Sequence, residues 1–458
     1  MKQNTSQLSP RPSAEKQLSR AVMACMLWED QYYENGLTTA EYITQLVAQV
    51  SPEYAAACAY HARTQMHLRH VPLLIVREMA RLPKHKALVA KLLPDIIQRA
   101  DEITEFLAIY WKDKRQPLSA QVKKGLAKAF NKFSEYDFAK YNQKNKVRLR
   151  DALFLCHSRP DDSLHGSYTK LDRKANNLVV LSAKEKLFKA IVNDELKTPD
   201  TWEVAISAIP KNDTPAVRAE WQRLLNERKL GALAYLRNLR NMISTGVPMN
   251  ELEHYATNLD VTHVLPFRFI AAARYAPQME PILETLMLSN TTSHRFTGTT
   301  ALLVDVSGSM MSAISAKSDL SRIDAACALA ILLRETSNDI AIGTFSQHME
   351  MVPPRRGFAL RDSIINAQPA GSTYLGSALE KLQRNIRFDR IIVITDEQSH
   401  DEIGSSQCNK AYIINIAAYK NGVVFKQASD NNWITINGWS ESVIDFIKEI
   451  ENTETTYG

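Results

Sequence analysis

The pattern of apolar residues changes once along this chain, near residue 297, and that change decides what it can fold into. Before it, apolar residues recur at helical spacing in segment after segment. Ser13–Trp28 is apolar at Leu18, Val22, Met26 and Leu27. Thr38 with Glu41 and Ser182 with Glu185 read as capping boxes, and Ser51 followed by Pro52 reads as a cap with proline at the first helical position. Further helical patterns follow at 199–208, 215–229, 231–244, 249–259 and 276–289, broken by segments such as IPKNDTP and STGVP. After the change, TTALLVDVSGSM, DIAIGTFS, RIIVITDEQ and KAYIINIAA are short and apolar throughout. They alternate with the helical segments SRIDAACALAILLRETS, ALRDSIINA and TYLGSALEKLQRN, and NWITING and ESVIDFIKEIEN add a last strand and a closing helix. Strands apolar on both faces and interleaved with helices predict a parallel sheet covered on both sides. The expected organisation is an all-helical domain over 1–295, a HEAT-like stack of helical pairs, and a doubly wound α/β domain over 296–458, with HRFTG at the junction.

Charge divides along the same line. The net charge of +6 combines 42 Lys and Arg against 31 Asp and Glu in residues 1–300 with 14 against 19 in residues 301–458. Residues 112–150 alone carry 12 basic and 3 acidic side chains. A cluster of that density attracts phosphates, although a solvated helix face gives the same pattern. No apolar run approaches the roughly 20 residues that span a bilayer. The opening residues lack the apolar stretch of a secretory signal, and the five cysteines are scattered without a CxxC pair. A reducing, cytoplasmic setting is the expectation, with no membrane partner.

The most specific local signal is Asp305-Val306-Ser307-Gly308-Ser309, where the strand ALLV ends. Thr373 lies in AGSTYLG, a loop entering a helix, and Asp396 follows the strand RIIVIT. In an open parallel sheet such segments meet beyond the carboxyl ends of the strands. Two carboxylates and three hydroxyls, Asp305, Ser307, Ser309, Thr373 and Asp396, form a hard oxygen shell suited to Mg²⁺, with Mn²⁺ second. The constellation resembles the metal-ion-dependent adhesion site of the von Willebrand factor A domain, and the order of elements from 299 to 452 fits that domain.

The helical part carries a second resemblance. KYNQKNKVRLRDALFLCHSRP at 140–160 resembles the RNA-binding segment of the TROVE module of the Ro autoantigen family, on Lys140, Tyr141, Lys144, Arg150, Asp151, Leu153, Leu155, His157 and Pro160. LAYLRNLRNM, VLPFRFIAAARY and DVSGSM resemble further motifs of that family, in family order. The chain departs from it where Asn145-Lys146-Val147 replace a glycine-tryptophan and where Cys156 precedes His157. The resemblance implies a ring of helical repeats closed by the von Willebrand A domain. It implies binding of small noncoding Y-like RNA and of misfolded or immature structured RNAs with single-stranded 3′ ends. It also implies RNA quality control or maturation, alongside a 3′-to-5′ exoribonuclease.

The residues themselves support part of this. Lys140 and Lys144 share a helix face if their stretch is helical, and Arg148 and Arg150 precede His157 on the next apolar helix. Arg grips phosphate bidentately, and His157 can hydrogen-bond phosphate or stack on an unpaired base. Lys123, Lys124 and Lys128 extend the basic stripe, whereas Arg237 and Arg240, inside an apolar helix, read as structural residues holding carboxylates between repeats. The histidines form neither HExxH nor HxxxH, there is no GxxxxGK[ST] loop, and Ser307 is not in a GxSxG elbow. The expectation is therefore a monomeric RNA-binding protein that is not an enzyme. The alternative is a metal-dependent protein-interaction scaffold using the Asp305 site, with no RNA role.

Overall fold

In the computed structural model the described residues are 13–24, 36–66, 68–142, 147–160, 183–210, 212–262, 264, 266–289, 295–314, 320–396, 399–416, 432–437, 443–444, 447–448 and 450–451. They form two compact units, which divide between Thr201 and Trp202.

The described residues of the first unit form α-helices between Ala14 and Asn193. Ser51 caps the helix Pro52–Thr64, accepting the Tyr54 N–H at 3.2 Å with proline at the first helical position. Thr38 falls inside the helix Gly36–Val47 rather than ahead of it, and Ser182 lies outside the described residues. Inside this unit Glu102 is fully buried and accepts from Arg63 at 2.6 Å and from the amides of Gln98 and Arg99 at 2.8 and 3.1 Å. The carboxylate thereby holds the start of the helix Asp101–Tyr110 to the helix Pro52–Thr64.

The second unit joins six α-helices described between Trp202 and Ser289 to the sheet that begins at Phe296. Six strands stand in the order β3-β2-β1-β4-β5-β6, with β1 Phe296–Asp305, β2 Ser337–Phe345, β3 Met349–Val352, β4 Arg390–Thr395, β5 Lys410–Asn415 and β6 Trp433–Asn437. All pairs are parallel except β2–β3. The antiparallel β3 departs from the expected all-parallel sheet: a four-residue edge strand, MEMV, is too short to show a period. The helix Arg322–Thr336 is buried on nearly every side, as its Ala-rich, apolar sequence requires. One hydrophobic core has members from Trp221 to Ile450, so the helices before the sheet share a core with it. Arg274 of the helix Pro266–Tyr275 pairs with Asp324, Arg361 with Glu280 at 2.9 Å, and the Phe358 amide donates to Glu284 at 2.7 Å.

Candidate metal centre and nucleic-acid interface

The strand order reverses between β1 and β4, and both end at the same edge of the sheet. Asp305 is the last residue of β1, and Asp396 follows the last residue of β4. The register that pairs Val304 with Ile394 sets Thr395 beside Asp305, and the Thr395 hydroxyl donates to Asp305 Oδ2 at 2.7 Å. Asp305 Oδ1 accepts the Ser307 amide at 2.8 Å, and the Ser307 and Ser309 hydroxyls face each other at 3.2 Å. The Gly308 amide donates to the Gly371 carbonyl at 3.1 Å, which draws the loop carrying buried Thr373 onto the Asp305 loop. Thr373 is fixed from the other side by His400, whose amide donates to the Thr373 carbonyl at 2.8 Å. Asp396 is fully buried, and its Oδ2 accepts from Arg322 Nη1 at 2.7 Å; the same nitrogen lies 3.3 Å from the Ser309 carbonyl.

The contacts thus link the five expected residues around one strand edge. Burial pushes the Asp305 carboxyl up to about 6, against the hydrogen bonds from Ser307 and Thr395, and Asp396 adds to the rise. Asp305, Ser307 and Ser309 fit a hard cation in donor chemistry. Among the described residues no three His, Cys, Asp or Glu side chains cluster for a metal, so hydroxyls must complete any such shell. Arg322, absent from the sequence reading, already sits against the second carboxylate; in the sequence it reads only as the first residue of a helix.

The basic residues of the first unit occupy three consecutive helices. On Ala120–Lys132, capped by Ser119, the buried side is Val122, Leu126, Ala129 and Phe130; Lys124 and Lys128 are exposed and Lys123 half-buried. Lys140 is exposed near the end of the helix Glu135–Tyr141, its Nζ 5.8 Å from the Tyr136 ring and 5.5 Å from the Tyr141 ring, and Arg99 stacks over Tyr141 at 4.5 Å. That helix ends at Tyr141, and Lys144 lies outside the described residues. Arg148 is the half-buried N-cap of Leu149–Cys156, its amide donating to Asp151 at 3.0 Å. Arg150 is exposed.

His157 closes this helix in the left-handed conformation, φ 54° and ψ 41°, with its ring exposed. The Ser158 amide returns to the Leu153 carbonyl at 3.3 Å, a turn usually made with glycine. One turn back stands Phe154, 60% exposed, which the sequence reading missed. The signal was present: Leu149, Ala152, Leu153 and Cys156 form the buried stripe, which leaves Arg150, Phe154 and His157 together on the opposite face. This helix is tied to the lysine-bearing one through Ser158 Oγ to the Ala127 carbonyl at 3.1 Å and Asn131 Nδ2 to the Arg159 carbonyl at 2.9 Å. Arg237 and Arg240, expected to hold carboxylates, are both exposed; neither forms an ion pair among the described residues, and Arg240 lies over the Tyr275 ring at 4.7 Å.

Residues 300–450 match the family model of the Ro60 vWA domain. The crystal structure of the Ro (RSR) protein of Deinococcus radiodurans superposes with a TM-score of 0.66 at 16% identity, covering 95% of this chain and 98% of that one. The sheet domain belongs to the Ro60 vWA family. The chain is also 24% identical over 315 residues to the telomerase protein component 1 of Rattus norvegicus, a match that spans 53% of this chain and 12% of that protein. Its sheet domain is thus a Ro60-type vWA domain, and its helical part shares the fold of the Deinococcus protein.

Proposed function

We propose that this protein binds RNA: a small noncoding Y-like RNA, and misfolded or immature structured RNAs with single-stranded 3′ ends. It acts in RNA quality control or maturation in the cytoplasm, holding RNA rather than cutting it, with a 3′-to-5′ exoribonuclease as a partner. The observation that carries the reading is the exposed row Arg150, Phe154 and His157 on a helix anchored to the helix of Lys123, Lys124 and Lys128. Arginine and lysine meet phosphates, and an exposed ring accepts an unpaired base on its face. A paired base offers no such face, so this row favours a single strand beside a structured element.

The Asp305 site serves as a divalent-cation centre, Mg²⁺ before Mn²⁺, held by Asp305, Ser307, Ser309 and Thr373 with Asp396 behind them. A bound ion there offers an open coordination position to an acidic group. The Thr395 hydroxyl and the Ser307 amide keep the Asp305 carboxylate oriented.

The test is a binding titration with a hairpin carrying a single-stranded 3′ tail and the same hairpin blunt, each at two salt concentrations. The expected result is tail-dependent binding that weakens steeply with salt. The Lys140→Ala, His157→Ala double variant should bind weakly, while Asp305→Ala keeps most of the affinity. No binding to either RNA rejects the reading and favours a protein partner at the Asp305 site.

A further inference from the structure

Two buried carboxylates at adjacent strand ends need a counter-charge. Isolated in a protein interior, an ionised carboxylate is costly, and two near each other more so. Here a positive group is already in place. Arg322 is 8% exposed, and its Nη1 reaches the fully buried Asp396 Oδ2 at 2.7 Å and the Ser309 carbonyl at 3.3 Å. One guanidinium therefore spans the end of β4 and the DxSxS loop. Its position on the backbone is unfavourable by itself. Arg322 opens the helix Arg322–Thr336, where the helix dipole favours anions and disfavours cations. The first turn meets that preference with Asp324, which accepts from the Ser321 amide at 2.8 Å; Arg322 is held there by the carboxylate in front of it.

We propose that Arg322 is a resident counter-cation of the Asp305 site. It supplies part of the charge a metal would supply, keeps the two strand ends assembled with or without metal, and makes divalent-cation binding weak. With Arg322 in place an entering ion meets a formal site charge of about −1 rather than −2, from Asp305, Asp396 and the guanidinium. An arginine cannot be titrated away to make room, because it stays protonated in proteins. The proposal qualifies the cation reading of this site and is independent of RNA binding.

The test uses the full chain, with Mn²⁺ as probe, read by the electron paramagnetic resonance signal of free Mn²⁺ and by thermal unfolding with and without EDTA. The wild type should bind Mn²⁺ weakly and keep one Tm in EDTA and in Mn²⁺ at low concentration. Arg322→Gln should bind Mn²⁺ on the order of tenfold tighter, unfold earlier in EDTA and recover on adding Mn²⁺. Arg322→Lys, which keeps the charge, should bind Mn²⁺ as weakly as the wild type. Tight Mn²⁺ binding by the wild type, or unchanged or weaker binding by Arg322→Gln, overturns the proposal. If Arg322→Gln does not fold, the wild type decides: a Tm that falls in EDTA overturns the proposal, and a constant Tm supports it.

Discussion

His157 shows how one residue can serve the backbone and the surface at once. Its left-handed conformation costs a non-glycine residue roughly 1 kcal/mol, and glycine would remove that cost. His157→Gly should therefore leave stability unchanged or raise it by up to about 1 kcal/mol in urea denaturation, while RNA affinity falls. A drop in both together would mean that the ring is a structural prop. Phe154 makes the complementary case. Phe154→Ala should change stability by less than about 0.5 kcal/mol because the ring is exposed, yet cost about 1–3 kcal/mol of affinity for a single-stranded tail, read by the same titration. Beneath these residues Cys156 is buried, and burial pushes its thiol up to about 11. It should react slowly with iodoacetamide at pH 8 in the folded protein and quickly once unfolded. The residue scale is where the sequence was most uneven. The family motif pointed to His157, but its backbone conformation depends on the return bond from Ser158, which no residue type announces. Phe154 is legible in the sequence only as the residue facing away from the stripe of Leu149, Ala152, Leu153 and Cys156. Arg322 was not legible, since only the fold brings residues 322 and 396 together.

At the scale of elements, the readable features were those with a period or a cap. The four longer apolar strands and the helices between them stand where alternation placed them, because a buried parallel strand leaves a continuous apolar run. The short edge strand β3 and the placing of Thr38 inside the helix Gly36–Val47 were not readable. An edge strand is specified by its partner β2, and a Thr-x-x-Glu pattern also occurs within helices. What joins helices is less visible still. Glu102 and Arg63 lie 39 positions apart and meet as a buried pair. Glu102→Ala removes the acceptor of Arg63 and of two backbone amides at once, leaving buried donors unpaired. The loss should be about 3–5 kcal/mol in urea denaturation of the full chain. Replacement by glutamine, which keeps an acceptor, should cost less. Equal costs for the two variants would mean that the charge alone, not the acceptor or the packing volume, matters at this position.

At the scale of the whole molecule, the change of sequence pattern and the division of the structure fall at different places. Helices give way to strands between Ser289 and Phe296, yet the compact units part between Thr201 and Trp202. The reason is physical. Secondary-structure period reports local geometry, whereas a domain boundary is where few contacts cross. The helices of 202–289 share the core that runs to Ile450, with Phe269, Ile270, Leu283 and Met287 buried in it, and they add the Arg274–Asp324, Arg361–Glu280 and Phe358–Glu284 contacts to the sheet side. A fragment of residues 296–458 would expose that shared apolar surface to water and leave Asp324, buried and paired, without Arg274. Exposed apolar patches of that kind drive association. The fragment 202–458 should therefore express as a soluble monomer with one cooperative thermal transition, whereas 296–458 should aggregate or unfold without a sharp transition. Size-exclusion chromatography and calorimetry on the two fragments decide between the boundaries. A well-behaved 296–458 would show that the sheet closes its own core and that the preceding helices are only docked against it.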